Sequence, residues 1–392
     1  MAKKIIICCD GTSNDFGDTP SNVVKLFSVL EKDPGSQVVY YDPGVGTPST
    51  YDAFNPITKK LKYIFGQSFG YGLSDNVMEA YRFLMQCYDE GDELYFFGFS
   101  RGAYTIRALA GLIHTCGLLH ANCQNLVPEA MRIYYNRKLS ERPRNSSGIP
   151  TGMSISGKFK ETFGRRVPVH FLGLWDTVTS VGWIYNPVVL QATTNNPGVQ
   201  NVRHAVSIDE RRAFFRQNMW GKIKPREGEP IQDVKQVWFA GSHSDVGGSY
   251  AADKSALSNI SLEWMLVEAM GKGLLIGDKQ KAKAMVTEIA EPQVQPMNES
   301  LVGFWKVAEV WMKMIRKKTG KDKDGKDIWV SRPYFNLGRF RVIPTEDKQC
   351  LHESVIVRLQ KLATYRPKNV MKICPEISSL EEKFLVEKWV HL

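Results

Sequence analysis

The sequence predicts an α/β fold: a mostly parallel sheet with helices on both faces. Short β-branched apolar runs alternate with helical segments, and the runs are continuously apolar, as in strands covered on both sides. The strongest runs also stop at polar turn residues.

Each element follows in order. Residues 5–9 are a continuous apolar run ended by Asp10-Gly11-Thr12, and read as a buried strand. Residues 22–30 are a short helix with Val23, Leu26 and Leu30 on one face, and 38–41 a second strand stopped by Asp42-Pro43-Gly44. Ser74 is expected to cap a helix whose Val77, Tyr81, Leu84 and Tyr88 share a face, with Gly91 at its left-handed C-terminal cap. Residues 94–97 form the next strand, and a helix starts directly after Ser100. Two later strands are expected at 167–175, ending at Asp176-Thr177, and at 234–240, ending at Gly241-Ser242-His243-Ser244-Asp245. Ligands of open α/β sheets bind outside the carboxyl ends of the strands, so these polar ends are expected to converge. The polar segment 139–162 and the irregular segment 185–233 are expected as insertions forming a cap over that edge. In 301–318, Leu301, Phe304, Trp305, Ala308, Trp311, Met312 and Ile315 share a helical face ahead of Arg316, Lys317 and Lys318. That spacing predicts an amphipathic helix, packed on the sheet in preference to lying on a membrane surface. Lys321, Lys323 and Lys326 surround Asp324-Gly325, a hairpin-turn signal.

Composition narrows the function classes. Of the 392 residues, 43% are hydrophobic and 11% aromatic, which excludes a disordered chain, and no apolar stretch approaches the roughly 18 residues of a membrane span. The 51 basic residues against 41 acidic give +10, which favours an anionic partner such as nucleic acid, phospholipid headgroups or a phosphorylated substrate. Seven cysteines without C-x-x-C spacing read as reduced thiols, and the short apolar start lacks a signal-peptide cleavage site. The chain is expected to be cytoplasmic when synthesised.

The sharpest motif is Gly98-Phe99-Ser100-Arg101-Gly102, a G-x-S-x-G between an apolar strand and a helix. A nucleophile on a tight strand-to-helix turn needs small residues two before and two after it, and this context is the one the motif requires. The Arg101 N–H at the helix start, with Gly11 and Thr12 after the neighbouring strand, would hold an oxyanion. A serine nucleophile needs a base and an orienting acid, in α/β hydrolases in the order Ser, Asp or Glu, His. Asp176 and His243 have that order; Asp245 with His352 is the second choice. His114, His120, His170, His204 and His391 read as structural. An aspartyl-phosphate loop would need an acid at position 8, where Cys8 stands. Asp10, Asp176, His243 and Asp245 could instead serve a metal-assisted phosphoesterase, but no paired-ligand spacing supports a metal. A phosphate-cradling Gly-rich loop is absent: GQSFGYG at 66–72 lacks the lysine.

The motifs CDGTSND, YYDPGVGT, GDELYFFGFSRGAY, FLGLWDTV, VRHAVSIDERRAF, WFAGSHSDVGGSY, LGRFRVIP, LHESV and YRPKNV run from residue 9 to about residue 370. Together they resemble the uncharacterised α/β-hydrolase domain family that includes the phospholipase effectors of bacterial type VI secretion. The resemblance implies an α/β-hydrolase fold, one catalytic domain over 1–392, and phospholipase or esterase activity without a cofactor. It carries the triad onto Ser100, Asp176 and His243. The expected partners are a lipid or acyl-ester substrate, an anionic membrane surface, and a secretion or immunity protein if the chain is exported by a type VI system; no nucleic-acid motif appears. The competing reading is a non-catalytic binding or scaffold protein that keeps the hydrolase fold.

Overall fold

The computed structural model describes residues 2–11, 17–44, 69–143, 145, 150–178, 182–183, 186–187, 190–223, 231–303, 305–306, 309, 313–321 and 327–392. Its centre is an eight-stranded sheet of β1 (Lys4–Cys9), β2 (Gln37–Asp42), β3 (Glu93–Phe99), β4 (Val169–Trp175), β5 (Val199–Ser207), β6 (Asp233–Phe239), β7 (Cys350–His352) and β8 (Leu385–Glu387). The order is β8-β7-β6-β5-β4-β3-β1-β2, and every pairing in it is parallel.

Burial on both faces explains the apolar runs. Along β1, Ile5, Ile7 and Cys9 enter one core, with α2 (Phe69–Cys87), α3 (Arg101–Cys116) and α4 (Val127–Tyr135). Ile6 and Cys8 enter the other, with α1 (Asn22–Val29) and α7 (Ala256–Met270). A third cluster joins Val206 and Trp238 to Val355 and Leu359 of α8 (Glu353–Lys361). All seven cysteines are free thiols. The chain leaves β1 toward β2 on one side and returns to β3 on the other, so the order reverses between β1 and β3. In open parallel sheets such a reversal is where ligands bind, beside the carboxyl ends of the two strands.

Several expectations are corrected. The helix expected to start at Ser74 starts at Phe69, so Ser74 lies inside it, its Oγ 2.7 Å from the Tyr135 hydroxyl. Gly91 does have φ +96°, but it sits in the turn into β3, beyond the helix end at Cys87. The segment 185–233 is not irregular throughout, because it contains the central strand β5. Its polar residues hid it: Asn201 Nδ2 donates to the His170 carbonyl at 2.8 Å, and Arg203 and His204 are buried with partners. In 139–162, α5 (Ile155–Phe163) does not cap the carboxyl edge. Lys160 Nζ donates to the His114 carbonyl at 2.7 Å, which fixes α5 against the end of α3 remote from Ser100.

The amphipathic helix expected at 301–318 is corrected from residue 313 on. Residues Lys313–Lys321 form a strand, paired antiparallel with Asp327–Tyr334 from Lys313 opposite Tyr334 to Lys321 opposite Asp327. The β-forming run Ile328-Trp329-Val330 supplies the partner, and pairing overrides helical spacing. The turn expected around Lys323, Asp324, Gly325 and Lys326 lies outside the described residues, as do Phe304, Ala308, Trp311 and Met312.

A partly buried ionic web, centred on the buried Arg203, ties the middle of the sheet to its far edge. Arg203 of β5 pairs with Asp233 at 2.8 Å and with Glu268 of α7, while Lys235 of β6 reaches Glu268 and Glu387 of β8, each at 2.7 Å. Arg203→Met is expected to lower the unfolding free energy by about 2 kcal/mol, read from urea denaturation. An unchanged midpoint would show that the web carries no stability.

Candidate active site

Ser100 ends β3 and stands at the N-cap of α3 with φ 59° and ψ −118°, a strained turn for a residue with a Cβ. The turn is held by the Ser100 N–H, which donates to the Trp175 carbonyl at 3.0 Å. The two motif glycines make it sterically possible. A Cβ on Gly98 would lie 2.7 Å from the Gly102 and Ala103 backbone, and one on Gly102 would lie 2.1 Å from the Cys9 carbonyl oxygen. The start of α3 is therefore pressed onto the end of β1.

His243 is the first residue of the short helix α6 (His243–Gly247) that follows β6. Its Nε2 is 2.8 Å from Ser100 Oγ, and its Nδ1 is 2.5 Å from Asp176 Oδ2. The ring lies between Phe99, at 4.6 Å between centroids, and Phe215, at 4.8 Å. The sequence after His243 explains the fit. Ser242 and Asp245 form a reciprocal capping box, and a Cβ on Gly247 would meet the Phe99 ring at 1.9 Å.

Asp176 follows β4 with φ 40° and is fully buried. Its Oδ1 accepts the Ser207 N–H at 2.9 Å and Arg341 Nη1 at 2.5 Å, while Oδ2 accepts Arg341 Nη2 at 2.9 Å and faces His243 Nδ1. Burial alone would raise this carboxyl, but the Arg341 guanidinium and His243 hold it well below the ordinary carboxylate range. Burial also lowers His243, against the opposing pull of Asp176, so the imidazole is biased toward its neutral, proton-accepting form.

The second-choice pair is not brought together by any hydrogen bond. Asp245 accepts from Ser242 N at 2.8 Å, Ser242 Oγ at 2.9 Å and Asn298 Nδ2 at 2.6 Å. His352 caps α8, its Nδ1 2.8 Å from Ser354 Oγ, and stacks on Phe239 at 4.7 Å; burial pushes it down to about 3. Asp10 accepts from the Ser21 hydroxyl at 2.5 Å and the Tyr41 hydroxyl at 2.9 Å. Among the described residues no three His, Cys, Asp or Glu side chains are grouped to hold a metal.

Of the oxyanion candidates, Arg101 opens α3 beside Ser100, where the first-turn N–H groups and helix dipole favour negative charge. The Gly11 N–H donates to Asp10 Oδ1 at 2.6 Å and is thus engaged by its neighbour; Thr12 lies outside the described residues.

Sequence reasoning missed Arg341 and Glu210. Glu210 is buried, pairs with Arg212 at 2.8 Å, and accepts the His243 N–H at 3.2 Å, fastening the loop after β5 to α6. Both residues stand inside quoted motifs, LGRFRVIP and SIDERRAF, but neither has a spacing that announces a partner.

With the geometry in view, comparison with known proteins identifies the family. Residues 3–268 match the model described as T6SS phospholipase effector Tle1-like, catalytic domain. The chain belongs to this family. A Tle1-like domain fits the parallel sheet and flanking helices above. The chain is also 38% identical over 224 residues to a Saccharomyces cerevisiae protein named only as uncharacterised (YEL023C), covering 55% of this chain and 32% of that one. The match thus spans about a third of the yeast protein's length. A crystal structure of an uncharacterised Pseudomonas aeruginosa protein aligns with 72% of this chain and 47% of that one, at 19% identity and a TM-score of 0.40. No helix among the described residues is long and apolar enough to cross a membrane.

Gly102→Ala is expected to cost about 3 kcal/mol of stability or to prevent accumulation of folded protein, since the clash is with backbone. Gly35→Ala, where the nearest atom is the Asp33 carboxylate at 3.4 Å, is the control. Equal urea midpoints for the two variants would contradict the steric argument.

Proposed function

We propose that this Tle1-like domain is a serine hydrolase that cleaves carboxylic esters of phospholipids. The observation that carries the reading is the His243 imidazole, bonded through one nitrogen to Asp176 and through the other to Ser100 at a helix N-terminus. His243, oriented by Asp176, takes the Ser100 proton as the hydroxyl attacks the ester carbonyl and then gives it to the departing alcohol. Water activated by the same imidazole releases the acid from the acyl-enzyme and restores Ser100. The Arg101 N–H, at the positive end of α3, is placed to serve as an oxyanion donor.

Family membership favours a lipid ester over a small soluble one, and the +10 charge favours an anionic surface. The two-stranded ribbon concentrates basic residues, Lys313, Arg316, Lys317, Lys318, Lys321 and Arg332, against one acid, Asp327.

Ser100→Ala is expected to abolish hydrolysis of a short-chain acyl ester and of phospholipid while leaving the denaturation midpoint near wild type. A fluorophosphonate probe is expected to label wild type and not the variant. Labelling without turnover on a lipid panel would move the substrate away from phospholipids, and no labelling would favour the non-catalytic scaffold. Binding to vesicles containing anionic phospholipid is expected to exceed binding to neutral vesicles and to weaken with added salt. Equal binding to both would remove the electrostatic part of the reading.

A further inference from the structure

We infer that Arg341 is a positioning residue of this site: its guanidinium clamps both oxygens of Asp176, fixes the carboxylate against His243, and sets the pH at which the imidazole accepts a proton. The inference rests on reading Ser100, His243 and Asp176 as acyl-transfer machinery.

The clamp is a two-point fork. Nη1 and Nη2 of Arg341 each donate to a different oxygen of Asp176, at 2.5 and 2.9 Å, the planar match that arginine makes and lysine cannot. The guanidinium is itself held: Nε donates to the Phe215 carbonyl at 3.0 Å, Nη2 donates to the same carbonyl, and Nη1 reaches the Ser207 carbonyl at 3.3 Å. Asn369 Nδ2 donates to the Arg341 carbonyl at 3.2 Å. One side chain thus fastens both the acid behind His243 and the residue whose ring walls it.

Charge counting gives the sign. With Arg341 present, the buried set of Arg341, Asp176 and His243 is neutral overall when the imidazole is neutral, and +1 when it is protonated. Without Arg341 the same states carry −1 and 0, so the imidazolium becomes the favoured form. In a site where all three side chains are nearly inaccessible, the difference is weakly screened. The other charged groups facing His243 are Glu210 and Arg212, from the loop after β5, and they pair with each other at 2.8 Å. Ser100 faces the ring uncharged, and Phe99 and Phe215 cover its sides. Arg341 is therefore the unbalanced charge that decides the ionisation of the set.

Two variants of the full chain test this. In Arg341→Gln, the acid limb of kcat/KM for a short-chain acyl ester, and the His243 titration followed by NMR of labelled histidine, are both expected to move up by about one pH unit or more. Arg341→Lys keeps the charge but loses the fork. It is expected to lower kcat about tenfold, with KM unchanged and the acid limb within about 0.3 units of wild type. A Gln variant that loses rate while limb and titration stay in place would reduce Arg341 to a structural residue and overturn the inference. Should Arg341→Gln not fold, wild-type kcat in Arg341→Lys would overturn it equally. Absence of esterase activity in wild type would sink the proposed function, whereas the NMR titration would still report on the clamp.

Discussion

Everything at the carboxyl edge of the sheet depends on one close approach, that of the first turn of α3 to the end of β1. Gly102 touches the Cys9 and Asp10 carbonyls at a separation no side chain tolerates, and Gly98 gives way on the other side of Ser100. This contact forces Ser100 into positive φ, and it turns the serine out at the point where strand order reverses. The strain is held by neighbours: the Ser100 N–H bonds to the end of β4, and the Asp176 N–H bonds to the Ala205 carbonyl of β5 at 2.8 Å. The register of the parallel ladder is thus what aligns the ends of β3, β4 and β6.

The sequence showed the parts of the site that sit directly beyond strong apolar strands. Ser100, Asp176 and His243 each follow a run whose burial on both faces leaves a plain signature, and the structure brings all three within hydrogen-bonding distance. What was hidden lacked periodicity. The strand β5 carries Gln200, Asn201, Arg203 and His204, polar residues whose partners lie far off in the chain, so VQNVRHAVS reads as irregular. The edge strands β7 and β8 have three residues each, too short to register as patterns. The segment 301–318 misled for the opposite reason, since its apolar positions fit a helix well. The deciding fact was a pairing with Asp327–Tyr334, which local spacing does not encode. Arg341 is one of two arginines that flank Phe340, and nothing local says that it faces a carboxylate 165 positions earlier.

The surroundings of His243 show how charge is managed in a dry site. Two buried carboxylates beside the ring are each paired with a guanidinium, Asp176 with Arg341 and Glu210 with Arg212. Arg212 also lies over the Phe215 ring at 3.7 Å and the Trp305 ring at 5.0 Å, so the ion pair is roofed by aromatic faces. Phe215, in turn, meets the edge of the His243 ring. Packing and electrostatics are carried here by the same residues, which is why Arg341 holds a backbone carbonyl of Phe215 as well as the carboxylate.

The wide separation of these partners along the chain orders their arrival during synthesis. The steric fit of the turn at Ser100 involves only residues up to about 103, but the hydrogen bond that holds it waits for Trp175 at the end of β4. The acid follows, the base comes 67 positions after it, and the guanidinium that steadies the acid comes last, beyond residue 268 where the family match ends. A nascent chain therefore contains the residues of its serine elbow long before the groups that could activate them have all been made. The C-terminal third acts as the closing piece of the site, and a fragment cut at the family boundary would carry Ser100, Asp176 and His243 without the residue that neutralises the carboxylate.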